Sequence, residues 1–186
     1  MTATTTPPDQ DAVESEFRGG ETTVRRRRFA SAAPPRAPLG AILVATLTCL
    51  GGLTVLVGLG TLSGHVLLIP SLAGTMALVA GAPHLPLSQP RNLLLGQALA
   101  TGAGLGVGLI SHSLWAAAAA ASLALLLMLL SRAAHSPATA TAVLGTSTVS
   151  GRGSFVLCVL TAAVAIVLVA VVRSRAGRGD YPVYWW

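Results

Sequence analysis

From Leu39 onward the chain alternates long apolar runs with short polar interruptions, and the run lengths carry the first structural reading. Apolar runs occupy about 39–62, 66–82, 93–110, 114–131 and 154–172. Each has about the 17–25 residues that a helix needs to cross the hydrocarbon core of a bilayer. A weaker stretch over 137–150, rich in Ala and Thr, is short for a crossing and reads as a short spanning or re-entrant helix. The pattern predicts an all-α polytopic membrane protein of about six transmembrane helices. Its transmembrane domain runs over 39–172, between a head at 1–38 and a tail at 173–186. The head is Thr, Pro, Asp, Glu, Ser and Arg with little to bury, and reads as a disordered cytoplasmic tail. The C-terminal tail reads as cytoplasmic or interfacial.

Charge decides between five crossings and six. All six carboxylates lie in the two tails, at Asp9, Asp11, Glu14, Glu16, Glu21 and Asp180, so Arg25 to Arg173 contains no acid. Only 10% of the residues are charged against 53% apolar, well below the usual quarter or so. All twelve basic residues are arginine. With a cytoplasmic N-terminus and five spans, the C-terminal arginines fall outside. With six spans, Arg91, Arg132 and both tails are cytoplasmic, and only Arg152 of the twelve faces out, as the positive-inside rule favours. The arginines flank apolar runs and form no face, which argues against nucleic acid. Arginine without lysine and heavy Ala and Gly use suggest a GC-rich bacterial genome, so the expected location is the bacterial cytoplasmic (inner) membrane.

Other local signals have plain readings. Arg25 to Arg28 before an apolar run faintly resembles an export signal, but the run is long and lacks a small-residue cleavage site, so it reads as an uncleaved first span. Cys49 and Cys158 fall in the first and last spans and read as buried apolar residues. Gly102, Gly104, Gly106 and Gly108 make two overlapping Gly-x-x-x-Gly pairs, a close-packing face within the chain or between protomers.

Two segments echo each other. Ile69-Pro-Ser-Leu-Ala-Gly-Thr-Met-Ala-Leu-Val79 and His135-Ser-Pro-Ala-Thr-Ala-Thr-Ala-Val-Leu-Gly145 both open on proline and serine and pass through small residues to Thr-x-Ala. Each lies between two longer runs, so the chain reads as a possible inverted repeat of three plus three spans. Paired proline-interrupted segments in corresponding positions point to a transporter's binding site. Proline suits the first turn of a helix, and Ser71 or Ser136 is placed to cap freed amides. A helix start of this kind is an anion site.

The acid-free membrane region excludes carboxylate general acid–base chemistry, divalent-cation binding and carboxylate proton relays. His65, His84, His112 and His135 are scattered over different spans and ends, so no metal, cofactor or catalytic group is expected, and the chain does not read as an enzyme. What remains polar is rich in donors: Ser71, Thr75, Gln89, Arg91, Asn92, Gln97, His135, Ser136, Thr139 and Thr141. Donors and one arginine without acids suit an anion or a small neutral solute. The expected substrate-binding set is Ser71, Gly74, Thr75, Gln89, Arg91, Asn92, His135, Ser136, Thr139 and Thr141.

Pro70 to Val79, Ala82-Pro-His-Leu-Pro-Leu-Ser-Gln-Pro-Arg-Asn92 and Leu127 to Val143 together resemble the HPP family of integral membrane proteins. That family takes its name from a His-Pro-Pro motif and carries a Pro-Leu-x-Gln-Pro-Arg-Asn signature, matched here from Pro86 to Asn92. The ending Tyr181-Pro-Val-Tyr-Trp-Trp186 is similar to the family's Tyr-Pro…Trp tail. The resemblance covers about residues 40–186 and implies transport of a small anion, because plant members are nitrite transporters of the chloroplast envelope. Two positions depart from the pattern: Ser136 stands for the first proline of the name motif, and Thr139 for a glycine. Both sit at the helix start assigned to the anion and leave the substrate open. The reading is thus a transporter or channel for a nitrite-like anion, with lipid and a second copy of the chain as partners. The rivals are a non-transport structural or regulatory membrane partner and a carrier of a small neutral or organic solute.

Overall fold

In a computed structural model the described residues are 35–177 and 179–186. The expectations for the head up to residue 34, its arginines at 25–28, and Arg178 lie outside them. Among the described residues there are six α-helices and no strand: α1 (Leu39–Ser63), α2 (Pro70–Gly81), α3 (Pro90–Gly108), α4 (Leu114–Leu130), α5 (Ala138–Ser147) and α6 (Arg152–Ala176). One 3-10 turn, Pro86–Ser88, precedes α3.

The lengths differ from the expected runs in one instructive way. α1 and α6 have 25 residues each, about 37 Å at ~1.5 Å per residue, more than the ~30 Å hydrocarbon thickness. α2 has only 12 residues and α5 only 10, about 18 and 15 Å, so neither crosses alone. The apolar run from 66 to 82 is therefore not one spanning helix. Pro70 holds Ile69 in an extended conformation (φ −108°, ψ 155°), because its ring clashes with a helical predecessor. The same proline then opens α2 with its fixed φ and missing donor. Gly64, in the left-handed region at φ 69°, ends α1 and lets the chain turn back.

Contacts at both ends show that the second broken segment still passes through the bundle. Near one end, the Arg91 guanidinium at the start of α3 donates to the carbonyls of Ser131 and Arg132 just past α4. The segment ending α2 lies there too, since Ser88 Oγ donates to the Ala82 carbonyl. Near the other end, Gly108 packs on Thr146 at the end of α5, and His112 Nδ1 lies 2.6 Å from the Thr146 carbonyl. Residues 131–147 therefore run from the Arg91 end to the His112 end. Each broken segment pairs a half-length helix with a non-helical lead-in.

α3 is the central helix and packs on α4, α5 and α6, while α1 packs on α2 and α6, and α2 meets α5. Leu56, Leu72, Met76, Leu93 and Ile166 fill one core. A second is almost all alanine, with Ala100, Ala103, Ala120, Ala124, Ala138 and Ala142 around Met128. Small residues let helix backbones approach in a lipid environment that supplies no hydrophobic drive. A Cβ on Gly104 would collide with the Ala142 backbone, and one on Gly108 would sit 2.9 Å from the Thr146 carbonyl oxygen. Gly102 and Gly106 face open space, so the four glycines serve two different faces. Cys49 and Cys158 are free and packed against the first core. Large apolar residues are exposed along α1 (Leu43, Leu47, Leu50), α4 (Leu126, Leu129) and α6 (Leu157, Leu168, Val172), whereas Thr75, Gln97, His135 and Thr141 are fully buried. Apolar outside and polar inside is the arrangement of a chain solvated by lipid.

Candidate functional site

The site begins where α4 ends. Ala133 N–H donates to the Met128 carbonyl and Arg132 N–H to that of Leu129, the paired bonds of a Schellman turn. The left-handed position falls on Arg132 (φ 53°), where a non-glycine residue is strained by about 1 kcal/mol. Side chains from the first turn of α3 hold this turn in place. Arg91 Nη1 and Nη2 donate to the Arg132 and Ser131 carbonyls at 2.7 and 3.0 Å. Asn92 Nδ2 donates to the Ala134 carbonyl at 3.3 Å. The next residue, His135, is thereby driven into the core with no exposed surface. Gly96 makes the room, since a Cβ there would lie 2.7 Å from the Cβ of His135.

Around His135 runs one continuous chain of hydrogen bonds, and chemistry fixes the direction of most of them. A carbonyl can only accept, so Nδ1–H of His135 donates to the Leu87 carbonyl at 2.8 Å, leaving the Nε2 lone pair toward Thr75 Oγ1 at 2.9 Å. Gln97 Nε2 donates to Thr75 Oγ1 at 3.1 Å. Thr141 donates to Gln97 Oε1 at 2.6 Å. Thr141 has then spent its only hydrogen, so the Ser71 hydroxyl must be the donor in the 2.7 Å contact between them. The order Ser71, Thr141, Gln97, Thr75, His135, Leu87 carbonyl joins α2, α3, α5 and both connecting loops.

Ser71, Thr75, His135 and Thr141 are thus brought together, with the first turns of α2 and α5 side by side. A Cβ on Gly74 would lie 3.7 Å from that of Pro137. The other expected residues lie elsewhere. Gly74 and Ser136 are exposed, Thr139 is half-buried, and the Thr139 hydroxyl donates to the Ser136 carbonyl of its own turn. Neither serine caps a helix: α2 and α5 have no side-chain cap. Ile69 O accepts from Leu72 N and Ala73 N, while His135 O and Ser136 O accept from Ala138 N and Thr139 N. Most first-turn amides are therefore satisfied locally, and hydroxyls, not amides, are what the crossing offers.

Gln89 donates to the Pro83 and Leu85 carbonyls and accepts from Val183 N–H. With Tyr181, whose hydroxyl donates to the Ser88 carbonyl at 2.9 Å, it ties the C-terminal tail onto the 83–89 loop. Arg91 lies 5.8 Å from the Trp186 ring centroid, a cation–π distance. Asn92 Oδ1 is buried without a partner. Gln97 is the residue that sequence reasoning counted as a donor but did not place at the helix starts. Its signal was an amide in mid-helix within an apolar stretch. Among the described residues no cluster of metal-ligating side chains forms.

Apolar outer faces, two half-length helices and a buried hydrogen-bond network where they cross define a polytopic integral membrane protein. The transmembrane region of the HPP proteins matches residues 34–182, most of the chain. The chain belongs to the HPP family. Comparison with curated proteins and with solved structures finds no match.

Proposed function

We propose that this HPP-family protein moves a small anion, nitrite or one of similar size, across the membrane through the crossing of α2 and α5. The observation that carries the reading is the buried network itself: three hydroxyls, an amide and a neutral imidazole, with no carboxylate. An entering anion takes the place of Gln97 Oε1 as acceptor. With that amide turned over, Gln97 Nε2 and the Ser71 and Thr141 hydroxyls converge on it. A cation would find no charged partner there. Ser71, Gln97 and Thr141 hold the anion in this reading, with Thr75 and His135 next along the same network. Gly74, Ser136 and Thr139 border the approach, and Gln89, Arg91 and Asn92 position the loops. The membrane is the bacterial cytoplasmic one, with both termini inside. No cofactor and no chemical step are invoked.

Nitrite flux into proteoliposomes containing the full chain tests this. Wild type should exceed empty vesicles, and Gln97→Leu should lose about tenfold or more, the scale of removing a buried polar contact. Wild-type flux equal to empty vesicles sinks the proposal. Faster movement of a small neutral solute than of nitrite would favour the solute-carrier reading. A non-transport role, with the open Gly102–Gly106 face packed on a second copy or another membrane protein, is the second reading and predicts no flux of any solute.

A further inference from the structure

We infer that His135 is a proton-binding site coupled to the anion, so that the protein carries a proton together with its anion. This rests on the anion reading above. The geometry is that of a two-state proton site. Thr75 Oγ1 lies 2.9 Å from His135 Nε2 and also 2.9 Å from the Ser71 carbonyl. The hydroxyl has one hydrogen and two places to put it. When the imidazole is neutral, that hydrogen goes to Nε2. When Nε2 takes up a proton, the new N–H donates to Oγ1, and the hydroxyl turns its hydrogen to the Ser71 carbonyl. Before the anion enters, Gln97 Nε2 donates to Oγ1 in both states; once the amide turns over for the anion, Gln97 Oε1 faces Oγ1 and accepts the hydroxyl hydrogen instead, and Nδ1–H stays on the Leu87 carbonyl throughout. Each state satisfies every polar group without moving a heavy atom, so a proton can be gained or lost without the cost of an orphaned buried group.

Nothing but the anion compensates the resulting charge. His135 is faced by Thr75 from α2, the Leu87 carbonyl from the 3-10 turn, and Gly96 and Gln97 from α3, with Met128 of α4 beside Gly96. None of these titrates. The charged side chains at the turn that precedes His135 are Arg91 and Arg132, which share the sign of a protonated imidazole, and the one acidic side chain among the described residues, Asp180, is exposed in the tail. A buried imidazolium without a counter-charge is unfavourable, and an anion on Gln97 and Thr141 supplies one across the same network. Binding of either therefore strengthens the other by the same factor.

The test is a pH titration of the full chain in lipid nanodiscs with 15N-labelled histidine, in sodium nitrite and in sodium gluconate. In gluconate the ring titrates with no counter-charge beside it, which sets the reference midpoint. Nitrite should raise the proton affinity of Nε2 about tenfold or more. Conversely, nitrite binding should strengthen as pH falls through the range in which the nitrite-bound ring takes up its proton, and His135→Gln should abolish that dependence. The wild-type titration needs no variant, so a poorly folding His135→Gln does not block the answer. Bound nitrite with an unchanged His135 titration overturns the coupling and leaves the transport reading standing. Absence of nitrite binding at every pH overturns both. Protonation that releases Nδ1 from Leu87 overturns the two-state site even where nitrite flux is intact.

Discussion

Arg91 shows how a single side chain can belong to a site without touching what the site binds. Its two terminal nitrogens each hold a carbonyl past the end of α4, where helix carbonyls lack partners and a positive charge is favourable. The fork needs a planar guanidinium, and a lysine can reach only one carbonyl well. Arg91→Lys should therefore lower the unfolding free energy by about 1–2 kcal/mol, the worth of one charge-assisted hydrogen bond at a half-exposed position. Nitrite affinity of the folded fraction should stay as in wild type. Thermal unfolding in detergent together with binding on the same sample checks this, and a large loss of affinity at unchanged stability would put Arg91 in the anion site after all. At this scale the sequence was legible where polarity was rare. Ser71, Thr75, His135 and Thr141 stand out because each interrupts an apolar run, and they do meet. Gln89, Arg91 and Asn92 stand out for the same reason yet bind loop carbonyls and the tail. A polar residue in a membrane segment announces that it needs a partner, and the partner's identity depends on which turn faces it, which spacing along one chain does not encode.

Glycines do at the level of whole helices what arginine does at one turn. α3 carries five within its last thirteen residues, Gly96, Gly102, Gly104, Gly106 and Gly108, and their surroundings separate them sharply. Gly96 faces His135, Gly104 and Gly108 face α5, and Gly102 and Gly106 face open space. Gly96→Ala should push His135 out of contact with Thr75 or Leu87, destabilising the fold by about 1–3 kcal/mol through overpacking and abolishing the nitrite dependence of its titration. Gly104→Val should be worse, since the obstacle is backbone of α5 that cannot yield. Gly102→Ala should leave stability within about 0.5 kcal/mol of wild type. Equal loss of stability for Gly96→Ala and Gly102→Ala would mean that α3 is rotated from the arrangement described. The Gly-x-x-x-Gly spacing made a packing face legible, but it could not say that one pair packs inside the chain and the other does not. Hydropathy likewise marked 66–82 as one run, because Ile69 and Pro70 are as apolar as their neighbours. The break lies in proline's backbone geometry, and the echo with 135–145 was the stronger sign of it.

The whole molecule places its charges at its two ends, and that makes the topology testable. Arg91 and Arg132 meet at one end. Ser174 of α6 joins them there, because it accepts from Tyr181 N–H while the Tyr181 hydroxyl donates to the loop before α3. Arg152 opens α6 at the opposite end, on the side where His112 meets Thr146. The grouping comes from contacts and owes nothing to a hydropathy count, yet it coincides with what the positive-inside rule asks of a six-crossing chain with both ends in the cytoplasm. Two single-cysteine variants, Ser150→Cys and Arg175→Cys, each in a background lacking Cys49 and Cys158, read it directly, since both positions are exposed. In intact cells a membrane-impermeant maleimide should label position 150 and spare 175, and permeabilisation should expose 175. Labelling of 150 and 175 from the same side would mean that one broken segment turns back within the bilayer. That would undo the parity on which the paired halves depend and remove the reason for α2 and α5 to meet from opposite directions.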